Sequence, residues 1–239
     1  MIILNIGCGS KTSAQTFNID KSILLKIKKN RLLTFAARFY FSEDRMKRLR
    51  DLPDNIISHD LSRGIPFDSN SVDAVYHSHF FEHLPQNAAP LFLNEVYRVL
   101  KVGGIHRIVV PDLEKLCRDY LHHLAACEQD AEAIPAHDDF IASIFSQVVR
   151  AEADGTSKQG VLRRGFENLV LGDARERGES HMWMYDKFNL RTLLQNAGFQ
   201  KITVQKYNTS FIAGWNDIGL DLENGQAYKP GSLYIEALK

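Results

Sequence analysis

The sequence is poor in cysteine and has no way to pair what it has. Among 239 residues only Cys8, Cys117 and Cys127 occur. They form no CxxC pair and leave one over, which excludes a disulfide scaffold and suits a reducing compartment. No uninterrupted apolar stretch approaches the roughly 18 residues that a membrane-spanning helix needs. The opening Met1-Ile2-Ile3-Leu4-Asn5-Ile6 lacks a basic leader, so a secretory signal is not expected. Charge of one sign is also missing: 29 Lys and Arg balance 29 Asp and Glu. That is not the footprint of a protein that coats nucleic acid, and a nucleic-acid partner is not expected. There is no internal repeat and no low-complexity tract. What remains is an ordinary globular composition, 44% hydrophobic and 24% charged. It predicts one cytoplasmic domain over residues 1–239 with a core that needs no metal or disulfide.

Strand and helix signals alternate along this chain. Apolar runs at Ile2–Ile6, Thr16–Ile19 (ending at Asp20), Ile56–Asp60, Val72–Tyr76, Ile105–Val110, Ile202–Val204 and Leu233–Ala237 read as seven strands. Between them the 3.6-residue period marks helices. One runs through Phe92, Val96, Val99, Leu100 and Val102 to a stop at Gly103-Gly104. A second, from Leu113 to Leu124, is capped by Asp112, and a third spans Phe140–Val149. The last lies between an Asp186 cap and Gly198. Such alternation predicts an α/β fold with a mostly parallel sheet covered on both faces. Two stretches interrupt it and read as insertions near the ligand-binding end, at about 21–50 and about 130–180. The first holds ten of the 29 basic residues against only Glu43 and Asp44, interleaved with apolar side chains.

The clearest chemical signal is the first turn. In open α/β sheets ligands bind beyond the carboxyl ends of the strands, and glycine lets backbone approach a ligand closely. Gly7 and Gly9 provide that approach, and Asp20, at the tip of the next strand, can take the hydroxyls of a ribose. A phosphate-binding loop requires Gly-Lys-Ser/Thr, but Ser10 separates Gly9 from Lys11. A dinucleotide fingerprint requires a third glycine and a following helix, whereas position 12 is Thr and no helical pattern follows. S-adenosylmethionine (SAM) has no phosphate and needs no anion site; it is the reading preferred.

Further along, Leu4-Asn5-Ile6-Gly7-Cys8-Gly9, Asn18-Ile19-Asp20, Asp60-Leu61, Ser71-Val72-Asp73-Ala74-Val75 with Phe81-Glu82-His83-Leu84, and Glu95 through Gly104 occur in that order. Together they resemble the cofactor motifs of class I SAM-dependent methyltransferases. The type 11 kind of bacteria is most similar, including enzymes that look like products of surface-glycan gene clusters. The segments His181–Asp186 and Ser232–Ala237 add to the likeness. The resemblance implies a Rossmann-like, mostly parallel seven-stranded sheet with an antiparallel C-terminal strand. It also implies transfer of the SAM methyl to an oxygen or nitrogen of a small-molecule or glycan-type acceptor. The alternatives kept open are a SAM-binding protein without catalysis and a methyltransferase acting on another metabolite or on RNA.

Residue by residue, the resemblance assigns Asp20 to the ribose, Asp60 to the adenine amine and the Leu61 amide to the ring. Gly7, Cys8 and Gly9 would border the methionine part, and His77 and Ser78 would line the cleft with His79. Asn5 stands where the family usually carries an acidic anchor for the cofactor's amino group. The short stretch between Gly9 and Thr16 cannot hold the usual crossover helix, so either the first two strands connect by a loop, with room for the basic insertion as a lid, or the second strand lies elsewhere. A hydroxyl acceptor also needs a base whose pKa lies near the working pH; His79, His83 and His181 are the candidates. Nothing in the spacing asks for a metal. Basic residues interleaved with apolar ones in Lys21–Arg50 suit an anionic membrane surface or an acidic substrate, or simply a helix with a solvated face.

Overall fold

The computed structural model describes residues 1–147 and 181–239. Its centre is a seven-stranded sheet of order β3-β2-β1-β4-β5-β9-β6, formed by β1 (Ile3–Ile6), β2 (Phe17–Asp20), β3 (Ile56–Ser58), β4 (Val72–Ser78), β5 (Leu100–Pro111), β6 (Gln200–Gln205) and β9 (Ser232–Leu238). The first five pair in parallel; β9 runs antiparallel between β5 and β6. The Rossmann-like α/β fold expected from the motif order is thus the one observed. A small hairpin, β7 (Leu222–Glu223) with β8 (Gln226–Ala227), lies outside the sheet.

One face of the sheet is closed by helices. Leu4, Ile6, Val75, Ile108 and Val110 meet Phe92, Leu93 and Val96 of α4 (Ala89–Val99) and Leu190 and Leu194 of α7 (Lys187–Asn196) in the largest core cluster. The α7 cap is the one its sequence announces: Asp186 accepts from the Phe188 and Asn189 amides while Asn189 returns a bond to the Asp186 amide. The helix expected to run on to Gly103 stops instead at Val99, because Leu100 is already paired to Val72 in β5. Gly103, at φ +76°, makes the turn with its amide on the Lys239 carbonyl.

The other face is closed differently. As expected, β1 and β2 are joined by a loop, and no helix crosses between them. The outer side of the sheet, with Ile3, Ala74, Tyr76, Val109 and Tyr234, is covered by Ile212, Trp215, Ile218 and Leu220 of the β6–β9 connection, which holds the one-turn helix α8 (Trp215–Ile218). That cover is pinned by Arg107, which is wholly buried. Its guanidinium contacts Asp221 and Glu236 at 2.8 Å each, donates to the Lys206 and Thr209 carbonyls, and sits 4.9 Å from the Trp215 ring. The same segment stitches down the β1–β2 loop: Lys11 Nζ donates to the Leu222 carbonyl and lies over the Tyr228 ring, and Gln15 donates to the Asp217 carbonyl.

The basic insertion folds as three short helices, α1 (Ile23–Lys29), α2 (Arg31–Tyr40) and α3 (Glu43–Asp51). They share a small core of Ile27, Ala37 and Leu49. Leu25 and Leu52 join this unit to Cys8 and Ile56 at the edge of the sheet. Helix α5 (Leu113–Gln129) follows β5, and the second insertion contributes α6 (His137–Gln147). The expected continuation of α6 to Val149, and the loops at 154–157 and 172–173, lie outside the described residues.

Candidate active site

The tips of β1, β2, β3 and β4 converge where ligands are expected. After Ile6 the chain turns through Gly7 (φ +61°) and Gly9 (φ +53°), conformations that disfavour a side chain. The Gly7 and Cys8 amides are both held by the Ile19 carbonyl. The turn is thereby fixed against the neighbouring strand tip, and Asp20 Oδ2 accepts from the Gly9 amide at 2.7 Å. Burial raises the Asp20 carboxyl above its usual range, and the Gly9 and Lys21 amides oppose that rise. Among the described residues, nothing lies within 4 Å of where a Gly9 side chain would project. Gly9 and Asp20 therefore form an open corner with a carboxylate held in place, which suits a ribose.

Of the other assigned residues, Asn5, Cys8 and His77 are buried, whereas Ser78 and Asp60 stay partly accessible. Asn5 does not reach the cleft: it is buried, and its amide nitrogen donates to the Lys11 carbonyl and to Asn18 Oδ1, bracing the loop. Cys8 points under α1, where burial pushes its thiol up to about 12, so only its backbone borders the turn. His77 is corrected as well. It is wholly buried, stacks on Phe81 and meets His106 through their Nε2 atoms at 3.0 Å. Ser78 ends β4 and is half-buried. Asp60 caps the 3-10 turn that begins at Leu61; it accepts from Ser62 and from Lys21 Nζ at 2.8 Å, and these bonds hold its carboxyl well below the usual range. An adenine amine at Asp60 would have to share that carboxylate with Lys21.

Gly7 has a second use that the sequence hides. A side chain there would come within 2.4 Å of the Phe80 ring, which lies directly over it. Gly7→Ala combines this clash with an unfavourable φ, and about 1–3 kcal/mol of stability should be lost. Urea unfolding should show part of the loss recovered when Phe80→Ala is added.

The buried imidazole pair makes its own prediction. Burial holds His77 down to about 3 and lowers His106 as well. The unfolded chain, with histidine near 6.5, therefore binds protons that the folded one refuses. The contribution is fully present above about pH 6.5 and is lost as the pH falls from there toward about 3, by up to about 1.4 kcal/mol per pH unit for each imidazole. Urea midpoints measured from pH 7.5 to 5 should fall, and His77→Leu with His106→Leu should flatten the slope.

Beyond β4 lies the second half of the site. His79, at φ +50°, bonds Ser232 Oγ through Nε2 at 2.8 Å, and its Nδ1 lies 3.4 Å from Glu82 Oε1. Burial pushes its imidazole down to about 3, with help from Lys229, His181 and His83. It is a neutral ring with one nitrogen engaged, a poor general base. Glu82 sits in a 3-10 turn, Phe81–His83, with no exposed surface, and burial pushes its carboxyl up to about 8. Its carbonyl receives the Met182 and Trp183 amides at 2.7 and 3.2 Å, which brings His181 against the turn. The His83 and His181 rings meet edge to face, with centroids 4.8 Å apart. Tyr185 packs on Phe81 in the core, whereas Trp183 is exposed. Two of the three candidate bases are thus brought together, with Glu82 as the residue that sequence reasoning passed over.

Residues 4–108 match a family model described as a methyltransferase domain. That span, which is less than half of the chain, is similar to a methyltransferase domain. The Gly9–Asp20 corner has the open space and the carboxylate that the ribose of S-adenosyl-L-methionine would require. No curated protein matches the chain. Among solved structures it is similar to a SAM-dependent methyltransferase from Methanosarcina mazei, at 19% identity and TM-score 0.46, covering 100% of this chain and 92% of that one. It is similar to another from Archaeoglobus fulgidus, at 15% identity and TM-score 0.44, covering 100% and 86%. A third is the 1,6-didemethyltoxoflavin-N1-methyltransferase of Burkholderia thailandensis with its substrate and S-adenosylhomocysteine, at 10% identity and TM-score 0.44, covering 100% and 70%.

Proposed function

We propose that the enzyme methylates an oxygen or nitrogen of a small-molecule or glycan-type acceptor, with the cofactor's ribose on Asp20 and the acceptor at the His83–His181 end of the same cleft. The observation that carries this reading is the Asp20 carboxylate, fixed by the Gly9 amide at the tip of β2. When bound, SAM supplies a methyl already activated on a cationic sulfur. What the protein adds is position: reacting atoms in line at roughly 3–3.5 Å, an effect that can supply about 7–11 kcal/mol of a barrier. Gly9 leaves room for the cofactor's backbone-side approach, Asp20 fixes its rotation, and Phe80 separates the turn from the core behind it. Calorimetric titration with SAM tests the cofactor site, and a methyl-transfer panel of hydroxyl, amine and saccharide acceptors tests the rest. Binding without transfer to any of them would favour a non-catalytic SAM-binding role; transfer to RNA alone would favour the other alternative.

A specific observation favours a second property. Helix α2 turns Leu32, Phe35 and Phe39 outward, 80%, 60% and 72% exposed, beside Arg31 and Arg38. No helix among the described residues is long and apolar enough to cross a membrane. An apolar stripe with basic flanks instead suits the surface of an anionic bilayer, where a lipid-linked acceptor would be presented. Sedimentation with phosphatidylglycerol-containing vesicles should exceed that with pure phosphatidylcholine, and Phe35→Ser with Phe39→Ser should abolish the difference. Equal sedimentation with both would leave α2 as a solvated helix.

A further inference from the structure

We propose that Glu82, His83 and His181 form a binding site for a divalent transition-metal ion at the acceptor end of the cleft. Their ligand atoms, one carboxylate oxygen and two imidazole nitrogens, all lie within 4.8 Å of one another. His181 Nε2 is 4.0 Å from Glu82 Oε1. Two histidines and one carboxylate are a donor set that suits zinc, iron, cobalt or manganese and leaves positions open for water or substrate.

A second observation is independent of that proximity. Both oxygens of Glu82 are buried and receive no hydrogen bond among the described residues. The nearest donor, His79 Nδ1, stands at 3.4 Å. Buried polar atoms are nearly always partnered, and a carboxylate out of water is costly unless a cation or donors face it. The chain builds this position firmly. The 3-10 turn fixes Glu82 and His83 side by side, the Met182 and Trp183 amides clamp the following segment to the Glu82 carbonyl, and Ser232 holds His79 in place behind the carboxylate. His79 is read here as a positioning residue, the neighbour that orients a ligating carboxylate. The two histidines are half-buried whereas Glu82 is closed off, so an ion enters from the cleft side and meets the carboxylate last.

The position also gives the site a use, and this clause rests on the function proposed above. The turn follows Phe80, whose ring covers Gly7, so the ion would lie next to the cofactor turn. Its open positions would take oxygen atoms of the acceptor, most favourably two neighbouring oxygens that chelate.

A second trio, His123, Cys127 and His137 on α5 and α6, can also attract metal, and the test must silence it. The full-length Cys127→Ser protein would be titrated with cobalt(II) alone, followed by calorimetry and by visible absorption, which reports the ligand field. One equivalent is expected, with affinity lowered at least tenfold in His181→Ala and in Glu82→Gln and the melting temperature in the absence of metal nearly unchanged in His181→Ala. Should Glu82→Gln fail to fold, His83→Ala, at a half-exposed position, gives the same readout. No uptake of cobalt, or uptake equal in His181→Ala, overturns the proposal. SAM titration in parallel separates the two readings: loss of SAM binding with cobalt retained sinks only the proposed function, and the reverse sinks only the metal site.

Discussion

Arg107→Met should cost about 3–5 kcal/mol of stability, the typical loss when one member of a buried ion pair is removed and its partners are left charged. The reason is the company that Arg107 keeps. Asp221 and Glu236 are almost fully buried, and both are answered by the same guanidinium. Tyr76 and the Trp215 indole add donors to Asp221; the Phe211 amide and the Ser210 hydroxyl add donors to Glu236. Methionine fills much of the volume but leaves two carboxylates facing each other without a cation. A chain of this size loses roughly 2–4 °C of melting temperature per kcal/mol, so differential scanning calorimetry should show a fall of about 6–20 °C. Adding Asp221→Asn and Glu236→Gln should restore much of it, because neutral amides tolerate the missing cation. A single variant that melts with the parent would show that water, not the guanidinium, answers these carboxylates.

Asp20→Ala should weaken SAM by roughly 10- to 150-fold, the range for losing a hydrogen bond to a charged group, about 1.5–3 kcal/mol. Melting should change little. The Gly9 amide loses its acceptor, but it lies at an open corner where water can replace the carboxylate. Asp20→Asn should fall between the two, since it keeps an acceptor oxygen but not the charge. Calorimetric titration of the three proteins with SAM and with S-adenosylhomocysteine checks this. Affinity unchanged in Asp20→Ala would move the ribose elsewhere.

The strands were legible because each is a short apolar run closed by a turn signal, and parallel strands buried on both faces read that way. The same property hid the details. In β4 nearly every residue is buried, so alternation could not tell that His77 faces the helices and the core instead of the cleft. Leu100 and Val102 continued a helical period into Gly103-Gly104, yet pairing with β4 takes Leu100 into a strand. At the site, the meeting of Asp20 with the glycine turn was legible because the carboxylate closes the strand next to β1. Asp60 was also placed at its strand tip, but Lys21, a residue from the insertion, had no sequence signal that would tie it there. Glu82 with His181 was beyond reach: the two come from distant parts of the chain and meet only through backbone bonds to the Glu82 carbonyl.

The loop that replaces a crossover helix between β1 and β2 has a consequence for how the molecule comes together. Lys11 and Gln15 are held by Leu222, Tyr228 and Asp217, and the sheet surface beneath them stays bare until Trp215 and its neighbours arrive. During synthesis those residues leave the ribosome about 200 residues after the loop that they hold. The turn beside β2 is therefore braced only once a distant stretch of chain has been made, and a fragment ending near residue 108 would expose Ala74 and Tyr76 to other unfinished chains.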